Sequence, residues 1–207
     1  MHVLQGSYSE IRRDTVFPPC DICHRAKQQR LPFHSSSITS SKAFDLIHVD
    51  TWGPYHTKTI HGQRYFLTLV DDYTRSTWTH LMVTKDEAFP LIKSFVAMVK
   101  TQFNGVVKVI RSDNALELGL SNEALQFFAA TGILHQTSCT QTPQQNGVVE
   151  KKHKHLLEVS RALMFQSNLP MKCWGECLLT AAYLINRMPT SILQFKTPFE
   201  LLFGTPP

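Results

Sequence analysis

The sequence predicts an α/β protein in which helices cover a five-stranded mixed sheet. Two observations lead to this prediction. First, three apolar and β-branched segments follow one another with short connections between residues 43 and 83, which is typical of an antiparallel meander. Second, helical and strand-like patterns alternate after residue 85, which indicates further strands, parallel to the first, with helices packed against the sheet.

The five predicted strands are 43–52, 63–70, 77–83, 106–110 and 133–137. Gly53-Pro54 ends the first strand, and His61-Gly62 forms a turn before the second. Asp71 and Asp72, which follow the second strand, are interpreted as turn residues. These short connections are what make the first three strands a meander.

The four predicted helices are 86–103, 121–131, 147–166 and 172–187. The first carries apolar residues at spacings of three and four, namely Phe89, Ile92, Val96, Val99 and Phe103. In the second, Leu125 and Phe128 are expected to point inward, and Gly132 ends the helix. The last segment, FKTPFELLFGTPP, is interpreted as a tail interrupted by proline and glycine.

Composition limits the classes of protein to consider. The chain has 207 residues, a net charge of +5 and a pI of about 9.0, which suit one domain with a short appendage and favour a polyanionic partner. No apolar run reaches about 18 residues, so no membrane partner is expected. The odd number of cysteines, five, and a first segment without the apolar core of a secretory signal favour an intracellular location.

Cys20 and Cys23 form half of a possible zinc site. Two cysteines separated by two residues can bind one tetrahedral ion through their thiolates. The second half is not evident, because His2 is the only histidine upstream, and His24 and His34 are weak substitutes. The alternative is a pair of reduced cysteines with no ligand.

Three acidic residues occur where a metal site can form. Asp50 ends the first strand, Asp113 follows the fourth, and Glu150 begins the third helix. If the two strands are neighbours, their aspartates emerge at one edge of the sheet, where carboxylates repel unless a cation joins them. Mg²⁺ and Mn²⁺ prefer oxygen ligands, and two such ions about 3.5–4 Å apart can activate the attacking oxygen and stabilise the leaving oxygen of a phosphodiester.

Each acid alone has a simpler interpretation, as a turn residue or as a residue facing a helix dipole. The combination of the three favours the metal site. A basic run follows Glu150, and Lys151, Lys152 and Lys154 would neutralise nucleic-acid phosphates. His153 and His155 are expected on a solvated, DNA-facing surface.

The chain resembles the integrases of copia-type LTR retrotransposons, most closely those of plants. The resemblance runs from about Cys20 to the end, and 62 and 36 residues separate the three acids. It is carried by FDLIHVDTWGP, GQRYFLTLVDDYTR, IRSDNALE, TPQQNGVVEKKHKHLLEVSRALM, CWGECLLTAAYLINRMP and TPFELLFG.

The resemblance implies a ribonuclease-H-like fold and an enzyme that trims the element's DNA ends and joins their 3′-hydroxyls to target DNA. Asp50, Asp113 and Glu150 match the family's catalytic acids, which bind two Mg²⁺ or Mn²⁺ ions. Other matched positions contact DNA or lie beside the site: Asn114, Gln145, Asn146, Lys151 and Lys154. Cys20 and Cys23 match the cysteines of a His-His-Cys-Cys zinc module. Relatives act as multimers on paired DNA ends, so a homo-oligomer and a nuclear location are expected.

The chain also departs from the family pattern. The zinc module's histidines are expected farther upstream than His2, and Ala115 follows Asp113-Asn114 where many relatives have glycine. The resemblance therefore implies an incomplete zinc module and linker in 1–40, a catalytic core in 41–190, and the start of a C-terminal extension in 191–207.

The first functional hypothesis is DNA integration by a polynucleotidyl transferase. The alternative is a transposon-derived remnant that folds and binds nucleic acid without catalysis. A stand-alone ribonuclease H shares the fold and the ions, but the spacing of the acids is against it. A zinc-binding interaction module would use only Cys20 and Cys23.

Overall fold

A computed structural model describes residues 40–113, 121–137 and 147–207, all of which lie in the compact unit Ser36–Pro207. The predicted zinc ligands Cys20 and Cys23 lie outside the described residues, as do Asn114, Gln145 and Asn146. None of the helices within the described ranges is long and apolar enough to cross a membrane.

The sheet has the predicted architecture. Its strand order is β3-β2-β1-β4-β5, with the first three strands antiparallel and β4 and β5 parallel to β1. The strands are β1 (Leu46–Trp52), β2 (Tyr65–Asp71), β3 (Thr77–Met82), β4 (Val109–Ser112) and β5 (Leu134–Thr137). The fourth strand begins three residues later than predicted and ends directly before Asp113.

Five α-helices accompany the sheet in the described ranges. They are α1 (Ala88–Phe103), α2 (Asn122–Thr131), α3 (Gly147–Gln166), α4 (Trp174–Arg187) and α5 (Pro198–Phe203). The predicted bounds of α3 are confirmed at both ends. A short 3₁₀ turn, Lys85–Glu87, precedes α1, and the Glu87 carboxylate accepts hydrogen bonds from the backbone N–H groups of Val83 and Thr84 at 3.0 and 2.9 Å.

The interpretation of the last segment as a tail was wrong, because it contains α5. The Thr197 hydroxyl accepts a hydrogen bond from the Glu200 N–H at 2.9 Å, and Pro198 occupies the first turn. Gly204 ends the helix with a left-handed φ of 74°. The Thr-Pro start and the glycine stop are ordinary helix signals that outweigh the punctuated appearance of the segment.

The predicted inward faces need two corrections. Leu125 is 53% exposed, whereas Ala124 and Phe128 are buried, because residues four apart share a face of α2 and Leu125 lies a quarter turn away. In α1, Phe95 belongs to the fully buried set, whereas Val96 is only partly buried.

The sheet separates two apolar cores. On one face, residues of the sheet such as Val49 and Leu69 pack with residues of α1 and α2 such as Ile92 and Phe128. On the other face, Phe66 packs with residues of α3 and α4, namely Leu156, Trp174 and Leu178. Because side chains alternate along a strand, the residue after Val49, Asp50, faces α3 and α4.

The turn between β2 and β3 is buried and polar. Asp71 accepts hydrogen bonds from the backbone N–H groups of Phe44 and Thr74, both at 2.8 Å. Asp72 accepts from the backbone and the hydroxyl of Ser40 and lies 3.1 Å from His48 Nε2. The interpretation as a turn residue is confirmed for Asp72, whereas Asp71 is the last residue of β2 and its side chain accepts hydrogen bonds from Thr74 in the turn.

Candidate active site

Asp50 and Asp113 emerge at the same edge of the sheet. The parallel register pairs His48 with Arg111, and continuing it by two residues puts Asp50 opposite Asp113. Parallel neighbours are about 4.8 Å apart, and residues of equal parity share a face. This places Asp113 beside Asp50 at adjacent strand ends, in agreement with the electrostatic effect of Asp113 on Asp50.

Glu150 and Asp50 line one pocket of about 470 Å³, which we call the acid pocket. Glu150 is exposed in the first turn of α3, and Asp50 lies on β1. The pocket is lined among others by Asp50, Trp52, Glu150, His153, Lys154 and Arg161. The fold thus brings the first and third predicted acids to one concave surface.

The Asp50 carboxyl is destabilised in its charged form. Burial, followed by repulsion from Asp113 and then from Glu150, raises its pKa from 3.8 to about 7. The Thr51 N–H, which donates to Asp50 Oδ1 at 2.8 Å, and the charge of Lys85 act in the opposite direction. A carboxyl with such a pKa is only partly ionised at neutral pH, and a cation beside it would favour the carboxylate.

His153 is buried beside Asp50, which contradicts its predicted solvated position. The residue is 6% exposed, its Nδ1 lies 3.7 Å from Asp50 Oδ2, and its ring packs edge-on against Phe66 with centroids 5.2 Å apart. Burial lowers the pKa of His153 to about 4, so the imidazole is neutral at pH 7. The histidine therefore supplies no positive charge to Asp50.

The donor set suits a hard divalent cation, although the site is not closed in this conformation. Carboxylate oxygens are the ligands that Mg²⁺ and Mn²⁺ prefer, and the charge of Lys85 does not offset the burial and repulsion that raise the pKa of Asp50. Asp113 perturbs Asp50 more strongly than Glu150 does. Within residues 40–113, 121–137 and 147–207, no three His, Cys, Asp or Glu side chains are grouped so that they could hold an ion. The arrangement is a pair of aspartates with the third acid on the same pocket.

A model of the integrase core domain matches residues 40–143, a span that includes Asp50 and Asp113. The chain belongs to the integrase core domain family. This confirms the resemblance found in the sequence.

Relatives of this integrase core include polyproteins of plant transposons. The chain is 36% identical over 186 residues to the retrovirus-related Pol polyprotein from transposon TNT 1-94 of Nicotiana tabacum, covering 90% of the chain and 14% of the polyprotein. It is 35% identical over 188 residues to that from transposon RE2 of Arabidopsis thaliana, covering 91% of the chain and 13% of the polyprotein. The chain thus spans about a seventh of the length of these relatives.

Solved structures confirm the ribonuclease-H-like fold of the integrase core. The simian T-cell lymphotropic virus intasome in complex with PP2A regulatory subunit B56 gamma contains a chain with a TM-score of 0.68 and 22% identity. That match covers 91% of this chain and 65% of the other. The trimeric form of the HTLV-2 integrase catalytic core domain in complex with magnesium gives a TM-score of 0.58 and 16% identity. That match covers 78% of this chain and 97% of the HTLV-2 chain.

The two lysines predicted to contact DNA lie at different places on α3. Lys154 lines the acid pocket, whereas Lys151 lines a separate pocket together with Lys152 and His155. Helix geometry explains the separation, because Glu150, Lys154 and Arg161 follow one side of the buried stripe of α3 and Lys151 does not. Arg161 was not singled out from the sequence; its spacing of seven from Lys154 was the available signal.

Several predicted site residues remain predictions. Asn114, Gln145 and Asn146, expected beside the acids, fall outside the described residues. The same holds for Cys20 and Cys23, so zinc binding rests on the sequence alone.

Proposed function

We propose that this integrase core catalyses metal-dependent phosphoryl transfer on DNA, trimming 3′ ends and joining them to a target strand. The observation that carries the proposal is that both Asp113 and Glu150 act on Asp50 and raise its pKa, and that Glu150 and Asp50 line one pocket. Membership of the integrase family supports the reaction class.

The three carboxylates would hold two Mg²⁺ or Mn²⁺ ions. Such ions supply Lewis acidity to the attacking and leaving oxygens of an in-line displacement at phosphorus. Asp50 and Asp113 offer oxygen ligands from the rigid sheet, while Glu150 offers one from the first turn of a helix. The HTLV-2 integrase catalytic core domain, which shares this fold, was solved in complex with magnesium, and this supports the choice of ion.

Lys154 and Arg161 would hold the DNA backbone next to the acids. Both line the acid pocket, and Lys154 is exposed, with its Nζ 3.9 Å from Glu158 Oε1 and therefore only weakly paired. Cations at such positions bind phosphates without reading the base sequence. The proposed partners are DNA ends and target DNA, which an oligomer of this chain would bind. The viral intasome and the trimeric form of the HTLV-2 core domain support an oligomer.

A second candidate is a folded remnant that binds nucleic acid without catalysis. It is favoured by one observation, the lack of a closed three-ligand metal site among the described residues. Under this hypothesis DNA binding through Lys154 and Arg161 persists, but no divalent ion makes the acid pocket reactive. The two candidates differ in whether removing one acid changes the products.

The test compares Glu150→Gln with the parent in an assay that joins a labelled donor duplex to target DNA with Mn²⁺. The substitution keeps the size of the side chain and removes its charge, so DNA joining should fall at least about a hundredfold while the circular dichroism spectrum is unchanged. Glu176→Gln, an exposed first-turn glutamate of α4, is the matched control and should join DNA as the parent does. If the parent does not join DNA, the remnant hypothesis is favoured. If Glu150→Gln joins DNA as well as the parent does, the proposed role of the three acids is refuted.

A further inference from the structure

A second pocket, of about 290 Å³, lies on the side of α3 away from the acid pocket. Its polar lining includes Arg75, Lys151, Lys152 and Thr190, and its apolar lining includes Ile185 and Met188. We call it the cationic pocket. Its residues come from the turn between β2 and β3, from α3, from the last turn of α4 and from the segment after α4.

Arg75 is a buried cation with unused hydrogen-bonding capacity. The residue is 7% exposed, and its Nε has no hydrogen-bond partner among the described residues. Its Nη1 lies 3.5 Å from Asp72 Oδ1, which is long for a hydrogen bond. Asp72 also lies 3.1 Å from His48 and accepts two hydrogen bonds from Ser40, so its carboxylate is shared.

Thr190 adds a second buried polar atom without a partner. Its Oγ1 is inaccessible to solvent and makes no hydrogen bond within the described part of the chain. Leaving a buried hydroxyl unpaired costs about 1–3 kcal/mol, so native structures rarely do so without reason. Arg75 and Thr190 come from segments far apart in sequence and line the same cavity.

Among the described residues that line this pocket there are three cations and no carboxylate. Lys151 and Lys152 form no salt bridge with any carboxylate in the described ranges. Arg75 pairs with Asp72, but Asp71 and Asp72 also accept hydrogen bonds from Phe44, Thr74 and Ser40. Adjacent unpaired cations repel, and an anion with several acceptor oxygens would relieve that repulsion.

We propose that the cationic pocket binds a small phosphate monoester of the size of a nucleoside monophosphate. A phosphate monoester offers acceptor oxygens to a guanidinium and two ammonium groups, and its charge of about −1.5 to −2 at pH 7 balances more of their positive charge than a carboxylate does. The apolar side chains of Ile185 and Met188 suit the uncharged part of such a ligand, and the volume is near the lower limit for ligand pockets. A duplex backbone is a poor fit, because Arg75 is buried and DNA phosphates are met by exposed cations.

This ligand site is independent of the proposed catalysis, although the two share a helix. Lys151 and Lys152 directly follow Glu150 on α3, so a bound phosphate would contact the helix that carries the third acid. Failure of DNA joining would leave the ligand site untouched, since none of the three acids lines the cationic pocket.

The experiment is calorimetric titration of the whole chain with deoxyadenosine monophosphate, with inorganic phosphate and with deoxyadenosine. The monophosphate should bind with one-to-one stoichiometry, phosphate more weakly, and the uncharged nucleoside not measurably. Lys152→Met should weaken binding of the monophosphate about tenfold or more, because a hydrogen bond to a charged group is lost. Lys100→Met, an exposed lysine of α1, removes the same charge elsewhere and should bind as the parent does.

Lys151→Met provides a test that misfolding cannot imitate. Lys151 is exposed and forms no salt bridge within the described residues, so the thermal midpoint should not fall, whereas binding of the monophosphate should weaken about threefold or more. Equal binding by Lys152→Met and Lys100→Met would overturn the proposal. So would equal binding of the nucleoside, or no binding of either phosphate ligand at millimolar concentration.

Discussion

At Asp50, one carboxyl group is held near two other carboxylates and beside a neutral histidine. The Nδ1 of His153 is 3.7 Å away, but burial keeps that imidazole uncharged. Soluble proteins seldom retain such an arrangement for stability, since burying an uncompensated charge is unfavourable. Groups with strongly perturbed pKa values in a pocket are typical of functional sites.

The raised pKa of Asp50 makes folding stability depend on pH. The folded state holds a proton on Asp50 between pH 3.8 and about 7, whereas the unfolded state has lost it, so this group reduces stability as pH rises through that window. The rise corresponds to at most about 4 kcal/mol. Asp50→Asn should therefore be more stable than the parent at pH 8 by about 1–4 kcal/mol, with the difference vanishing near pH 4.

Urea unfolding followed by circular dichroism at the two pH values measures this difference. Asp45→Asn is a suitable control, because Lys108 lowers the pKa of Asp45 and its removal should not stabilise the protein. A parent that is as stable as Asp50→Asn at pH 8 would show that the charge on Asp50 is compensated.

His153 acts in the opposite direction and has its own window. Its pKa in the folded state is about 4 against 6.5 when unfolded, so the unfolded state gains a proton first and stability falls as pH drops from 6.5 to 4. His48, His80 and His135, whose pKa values are also lowered by burial, contribute to the same decline. In the Asp50→Asn background, His153→Phe should therefore reduce the decline of unfolding free energy below pH 6 without abolishing it, and an unchanged decline would contradict the lowered pKa of His153.

At the scale of elements, α3 separates two sets of cations. Lys154 and Arg161 line the acid pocket, while Lys151 and Lys152 line the cationic pocket. From the sequence alone, Lys151 and Lys154 were both predicted to contact DNA, because both belong to one basic run.

DNA binding should therefore depend on Lys154 more than on Lys151. Lys154→Gln should weaken binding of a DNA duplex at all sequences and lower the slope of log affinity against log salt by about 1, because one phosphate contact is lost. Lys151→Gln is the matched control on the adjacent turn and should change the slope less. Fluorescence anisotropy at several salt concentrations measures the affinity and the salt slope of both variants. Equal losses of affinity would show that Lys151 contacts DNA as closely as Lys154 does.

Gly175 tests how closely α4 packs against β3 and the loop between β1 and β2. A Cβ at this position would lie 2.8 Å from both Leu81 Cδ1 and Thr59 Cγ2. Alanine favours helices by about 1 kcal/mol over glycine, but overpacking costs about 1–3 kcal/mol, so Gly175→Ala should lower stability. Gly147→Ala in α3 meets nothing within 4 Å and should not lower it, as thermal unfolding of both variants will show. A stabilised Gly175→Ala would mean that the two side chains move aside easily.

At the scale of the whole molecule, local patterns predicted most of the fold. The meander and the ends of α3 followed from turn residues and helical spacing, which act over a few residues. Burial of His153 did not follow, because its neighbours in sequence are charged. Its spacing of four from Val149 and three from Leu156, both buried, was a signal, but only packing against Phe66 decides the outcome.

The candidate site was predicted less completely than the fold. Asp50, Asp113 and Glu150 could be named because each lies close to a recognisable end of a strand or helix. The cationic pocket could not, since Arg75 and Thr190 are far apart in the chain and meet only through the tertiary fold. The proposed dependence of DNA joining on the acids thus rests on both sequence and structure, whereas the proposed phosphate site rests on structure alone.

The central claim, that the acids share divalent ions, is tested most directly by calorimetric titration of Mn²⁺ into the parent and Asp113→Asn at pH 7.5. Removing one shared ligand charge should weaken Mn²⁺ binding about tenfold or more, while Glu123→Gln, an exposed acid of α2, leaves it unchanged. Saturable Mn²⁺ binding by the parent that is lost in Asp113→Asn is the predicted result. Equal binding by both proteins, or no binding by the parent, would contradict the account.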